Sequence, residues 1–164
     1  MGRLSILQVV SETTVDGPGF RTALYAAGCG HACPGCHNPE SWDIRHGHWM
    51  DTAELLQVVL DDPFSDVTFT GGDSFFQAEG FAELAAAIRR ESSKSIWCYT
   101  GYTFEAVCRH PVFLPLLQQV DVLVDGPFRR DLRDESLRFR GSSNQRLVDV
   151  PASLATGRLC LWME

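Results

Sequence analysis

The sequence predicts an α/β fold with a mostly parallel sheet, arranged as an incomplete, open barrel. Three observations predict it. Short β-branched and aromatic runs alternate with helix-period segments, glycine-bearing turns follow several of those runs, and the chain is 164 residues long. Strands that alternate with helices are joined by right-handed crossovers and lie parallel. Each such unit takes roughly 30 residues, so the chain supplies about five crossovers at most. A closed eight-stranded barrel needs more. The length also predicts one domain over residues 1–164.

The elements follow in order. An apolar opening at Leu4 to Val10 reads as a strand, Asp16-Gly17-Pro18-Gly19 as a turn, and Phe20 to Ala27 as a second strand that runs straight into cysteines. Asp51 and Glu54 resemble a capping pair ahead of Leu55, Leu56 and Val59, which predicts a helix to about Asp61. Asp66 to Thr70 is the next strand. Phe81, Leu84, Ala85 and Ile88 recur at i, i+3, i+4 and i+7, with Glu83, Arg89 and Arg90 on other faces, the pattern of an amphipathic helix. Ser95 to Tyr99 returns as a strand, Thr103 caps a short helix through Cys108, and Val120 to Val124 is a strand closing at Asp125-Gly126-Pro127. In open parallel sheets ligands gather beyond the carboxyl ends of the strands, because the connecting loops and helix N-termini converge there. Cys29, Gly71, Gly72, Gly101 and Gly126 all fall at such ends. There is no internal repeat and no low-complexity linker.

Composition narrows the function classes. With 21 acidic and 14 basic residues the formal net charge is -7, a poor basis for generic nucleic-acid binding. Arg129, Arg130, Arg133, Arg138, Arg140 and Arg146 nonetheless crowd one C-terminal stretch, readable as a solvated face paired with Asp131, Asp134 and Glu135. No run approaches the roughly 20 apolar residues that span a bilayer. Met1 to Val10 lacks the parts of a signal peptide, so the sequence predicts a cytoplasmic protein without a membrane partner. In that reducing compartment six cysteines are core residues, reactive thiols or ligands rather than disulfides.

Cys29, Cys33 and Cys36 form C-x3-C-x2-C among Gly28, Gly30 and Gly35. Iron–sulfur cubanes are commonly held by four thiolates, so three close ones leave one iron open to another ligand. A closed zinc site wants four ligands; His31 or His37 could complete it as a Cys3His set, and the spacing leaves that alternative open. Cys98, Cys108 and Cys160 lack ligand spacing and read as buried core residues. His31, His46, His48 and His110 read as surface or loop residues.

These cysteines, placed after an early strand, resemble the signature of radical S-adenosylmethionine enzymes. The pieces from Asp16-Gly17-Pro18-Gly19-Phe20-Arg21 to Cys36-His37-Asn38-Pro39-Glu40-Ser41-Trp42-Asp43 resemble their glycyl-radical enzyme activating branch. Thr70-Gly71-Gly72-Asp73 is similar to that superfamily's Gly-Gly-Glu/Asp motif, with Ser74 where a proline is usual. Trp97 to Tyr102, Val124 to Phe128 and Arg140-Gly141-Ser142-Ser143-Asn144-Gln145-Arg146 resemble motifs of the activators of anaerobic ribonucleoside-triphosphate reductase.

The resemblance implies a partial barrel of the radical S-adenosylmethionine type and a 4Fe–4S cluster on Cys29, Cys33 and Cys36. It implies S-adenosylmethionine as second cofactor, received by Gly35, Cys36, His37, Gly71, Gly72 and Asp73, with the methionine amino group at Asp73. It implies an oxidoreductase that cleaves that cofactor reductively and leaves a glycyl radical on the reductase. An electron donor such as reduced flavodoxin is implied too. Arg138, Arg140, Asn144, Gln145 and Arg146 are expected to dock the partner. The rivals are an activator of pyruvate formate-lyase, which carries similar motifs, and a non-catalytic iron–sulfur electron carrier.

Overall fold

The computed structural model describes residues 2–31 and 39–163. Its strands are β1 (Arg3–Thr13), β2 (Arg21–Ala26), β3 (His48–Asp51), β4 (Asp66–Gly71), β5 (Ile96–Tyr99), β6 (Val122–Asp125) and β7 (Arg146–Asp149). The helices are α1 (Thr52–Asp61), α2 (Ala78–Glu91), α3 (Phe104–Cys108), α4 (Leu114–Leu117) and α5 (Val150–Thr156).

The strands form one open sheet in the order β3-β1-β2-β4-β5-β6-β7. Its centre, β2-β4-β5-β6, is parallel as expected. Both flanks are antiparallel, so the open sheet is mixed around a parallel centre. The reason on the β1 side is chain length: the short turn between Thr13 and Arg21 can reverse the chain but cannot carry a crossover.

Alternation along the strands sorts their side chains. Leu24, Ala26, Val67, Phe69, Ile96, Cys98 and Leu123 face the helices and pack with Leu55, Val59, Phe81, Leu84, Ile88 and Leu117. All four periodic residues of α2 are fully buried, and Phe81 meets Phe69 at 5.0 Å between ring centroids. On the opposite face Trp97, Val122 and Val124 pack under Phe139 and Trp162, which belong to irregular segments. Thr103 caps α3 by accepting from the Ala106 amide. Asp51 does not cap α1: it lies 3.8 Å from Arg3 across the β1–β3 pair, while the Thr52 hydroxyl donates to Glu83.

Register decides where the chemistry sits. Ala26 pairs with Gly71, Phe69 with Cys98 and Tyr99 with Val124, so the carboxyl ends of the four parallel strands share one edge. The segments leaving that edge carry Cys29, Asp73, Gly101 and Gly126.

Candidate functional site

The cysteine-bearing loop is pinched at its base. Gly28 N donates to Ser41 O at 2.6 Å and Cys29 N to Trp42 O at 3.2 Å, so the loop leaves and re-enters the fold at one point. Gly28 adopts φ +95°, and a Cβ there would strike the Phe76 ring at 2.4 Å. Cys29 is half-buried at this base. Cys33, Gly35, Cys36 and His37 lie outside the described residues.

The end of β4 presses on the same base. Gly72 N donates to Ala26 O and Asp73 N to Gly28 O, both at 2.8 Å. A Cβ on Gly72 would lie 2.4 Å from Gly28 O and 2.8 Å from Ser41 O. Gly71, at φ +102°, has Ala26 N at 2.5 Å from its own would-be Cβ. These glycines therefore let neighbouring backbone approach closely.

Asp73 is 1% exposed and takes donors from three segments. Its Oδ1 accepts from Phe75 N at 2.9 Å. Its Oδ2 accepts from Thr100 Oγ1 at 2.8 Å and Gly101 N at 2.9 Å, and lies 2.7 Å from Nε2 of His31. Four donors on one buried carboxylate are what keep a charge there tolerable. His31, read from sequence as a surface or loop residue, is thus part of the site. It also meets Tyr102 edge-on at 4.4 Å. Burial, then the charges of Asp73 and Cys29, raise the Tyr102 phenol above its ordinary value.

Arg21 lies at the other end of the strands. Fully buried, it donates to Thr68 Oγ1 at 2.8 Å, Val67 O at 2.8 Å, Pro18 O at 3.1 Å and Ser95 O at 3.1 Å. The Asp16-to-Arg21 motif is thereby tied into the sheet. Asp16 accepts from Thr13 and Tyr25, and burial raises its carboxyl above the usual range. Asp16, Tyr99, Arg133, Phe139 and Arg140 border a cavity of about 690 Å³.

The polar loop before β7 bonds largely to itself. Gln145 Oε1 accepts from Gly141 N and Ser142 N, and its Nε2 donates to Gly126 O. Asn144 donates to Pro127 O, and Arg140 to Gln145 O. Arg146 pairs with buried Asp125 and with Glu105, and those hydrogen bonds, Asp125's first, raise its pKa further. Arg138 is exposed, its guanidinium 4.6 Å over the Phe139 ring. Arg129 pairs with Asp131 and Arg133 with Glu135, as a solvated face would.

Cys98 is buried, and burial raises its thiol well above the ordinary value. Cys108 and Cys160 are half-buried rather than core residues, because α3 and the tail after α5 are covered on one side only.

The sequence gives His31 a site role only as a possible zinc ligand and gives Thr100 and Tyr102 none of their own, because their partners are distant in the chain. It gives none to Gln77 either, whose amide nitrogen donates to Ser5 O and Ala27 O and whose oxygen accepts from Ser5 N. No local pattern marks a glutamine that bridges two strands.

Comparison with known proteins gives the fold and site a family. Residues 15–148 match the model of the 4Fe-4S single cluster domain. The anaerobic ribonucleoside-triphosphate reductase-activating protein of Enterobacteria phage T4 is 37% identical over 139 residues, covering 81% of this chain and 86% of that protein. That of Pasteurella multocida is 34% identical over 151 residues, covering 87% and 95%. That of Escherichia coli (strain K12) is 36% identical over 141 residues, covering 80% and 89%. With a pinched cysteine loop at the carboxyl ends of the sheet's parallel strands and relatives matched along most of its length, this chain belongs to the family of anaerobic ribonucleoside-triphosphate reductase-activating proteins.

Proposed function

We propose that this chain activates an anaerobic ribonucleoside-triphosphate reductase as a radical S-adenosylmethionine enzyme of the glycyl-radical enzyme activating branch. The observation that carries the reading is the contact of the cysteine loop's base with Gly71, Gly72 and Asp73, through the Asp73 N to Gly28 O bond of 2.8 Å. A group held by the thiolates and a molecule held by the end of β4 would then be neighbours.

The donor set fits an iron–sulfur cubane. Its three cysteines belong to one loop pinched at the base, and three protein thiolates leave one iron open. Cys29, Cys33 and Cys36 would hold the 4Fe–4S cluster. Bound there and reduced, the cluster would supply the electron for reductive cleavage of S-adenosylmethionine, the chemistry needed to leave a glycyl radical on the reductase. Gly35, Cys36, His37, Gly71, Gly72 and Asp73 would orient that cofactor. Of the Asp73 oxygens, Oδ1 takes one donor among the described residues and retains capacity for an ammonium. The open sheet is read as the partial barrel of this superfamily, at work in the cytoplasm with an electron donor such as reduced flavodoxin.

Partner docking is assigned to the loop of Arg138, Arg140, Asn144, Gln145 and Arg146. Its internal hydrogen bonds give the loop a fixed shape, and Arg140 and Gly141 border the 690 Å³ cavity. Arg138, exposed there, would pair with carboxylates of the reductase and speed association.

The test is anaerobic reconstitution with iron and sulfide, reduction, and assay for 5'-deoxyadenosine. Its formation separates the enzyme from an electron carrier, which would take up iron and cleave nothing. In the Arg140→Ala protein partner-free cleavage should survive while radical yield on the reductase falls.

A further inference from the structure

His31 follows the first cysteine by two residues, and its ring is fitted into a seat made by other segments. Its Nε2 lies 2.7 Å from Asp73 Oδ2 and, since a carboxylate only accepts, donates to it. Tyr102 meets the ring edge-on at 4.4 Å. On the remaining side is Gly101, where a Cβ would come within 2.5 Å of His31 Cδ2 and 2.8 Å of its Nε2. Any side chain at 101 would claim the space the imidazole fills.

Asp73 would keep its place without His31. Phe75 N, Thr100 Oγ1 and Gly101 N still bind it, so the ends of β4 and β5 remain joined. Cys29 itself stays tied to Trp42 at the base, and only the stretch that follows it would lose its anchor. The hydrogen bond therefore has a separable task, which is to fix that segment beyond its pinched base.

We propose that His31 is a positioning residue for the cluster, latching the stretch just after Cys29 to Asp73 so that the first ligand's surroundings are fixed when iron arrives. The inference rests on the cluster assignment proposed above. Partners one shell beyond a metal ligand set the ligand's orientation, and losing one typically lowers metal retention about 10-fold or more. The latch also gives Gly101 a reason to lack a side chain and gives the Asp73 carboxylate a role besides any contact with the cofactor.

The test compares the wild type with His31→Ala, His31→Phe and His31→Gln after anaerobic reconstitution. Phenylalanine keeps the ring against Tyr102 and Gly101 but has no donor; glutamine can return an N–H to Asp73. Iron retained after gel filtration, the rate of cluster loss to a ferrous chelator, and the paramagnetic resonance line shape of the reduced cluster are measured. The latch predicts roughly 10-fold faster loss and an altered line shape for the alanine and phenylalanine proteins. The glutamine protein should recover most of the wild-type behaviour. Should the alanine protein fail to fold, phenylalanine against glutamine decides. Wild-type rates and line shapes in all variants overturn the proposal, as does equal loss in the glutamine and phenylalanine proteins. A wild type that takes up iron but cleaves no S-adenosylmethionine leaves the latch comparison intact and overturns only the catalytic reading; one that holds no cluster overturns both.

Discussion

Asp73 donates its amide to the carbonyl of Gly28 at 2.8 Å, and this bond joins the end of β4 to the base of the cysteine loop. Gly72 sits beside it with two carbonyl oxygens, of Gly28 and Ser41, where a side chain would begin. Both are backbone and cannot turn away. Gly72→Val should therefore loosen the loop base itself, lowering the stability of the iron-free protein by at least about 1–3 kcal/mol. Denaturant unfolding of the iron-free variant measures this, and unchanged stability would show that the base has room.

The six cysteines divide by place. Replacing Cys29, Cys33 or Cys36 by Ala should abolish cluster assembly, since two protein thiolates do not retain a cubane. Replacing Cys98, Cys108 or Cys160 should leave iron content at the wild-type level, because Cys98 is enclosed among Val67, Phe69 and Leu123 and the others lie on α3 and the tail after α5. Iron analysis after gel filtration distinguishes the groups. Wild-type iron in the Cys33→Ala protein would sink the ligand assignment.

Much of this arrangement is legible in the sequence, and the reason is periodicity. Phe81, Leu84, Ala85 and Ile88 announce α2 because one face of that helix must be apolar. β3 gives no such signal: His48, Trp49 and Asp51 are exposed, and the strand exists by pairing with β1. β7 is short and follows a polar loop, so its pairing with β6 was hidden as well. The cysteines could be read because their chemistry needs close spacing. The latch could not, since His31 finds Asp73, Gly101 and Tyr102 only after β2, β4 and β5 are in register.

Arg21 should matter for the fold rather than the chemistry. Its guanidinium is fully buried and serves oxygens of Val67, Thr68, Ser95 and Pro18. Arg21→Met leaves several of these acceptors unpaired inside the protein, each costing about 1–3 kcal/mol. The expected loss is about 3 kcal/mol or more, read by denaturant unfolding. Arg21→Lys should recover little, since a point charge cannot match a planar fork of donors. Full recovery by lysine would contradict the hydrogen-bond account.

Asp16 provides a pH test. Burial raises its carboxyl pKa in the fold, outweighing hydrogen bonds from Thr13 and Tyr25 and the charge of Arg21. A carboxyl that binds its proton more tightly when folded destabilises the protein at neutral pH, and that penalty fades as pH falls through the raised pKa. Asp16→Asn should therefore raise Tm at neutral pH, with the difference from wild type shrinking toward acid. A difference that grew on acidification would reverse the assigned sign.

The most direct measurement of the central claim is a glycyl radical. The reconstituted, reduced protein is mixed anaerobically with S-adenosylmethionine and either the anaerobic ribonucleoside-triphosphate reductase or pyruvate formate-lyase, and each mixture is examined by electron paramagnetic resonance. The account predicts a glycyl radical signal on the reductase that depends on S-adenosylmethionine and disappears in the Cys29→Ala protein. A signal with pyruvate formate-lyase and none with the reductase would contradict it.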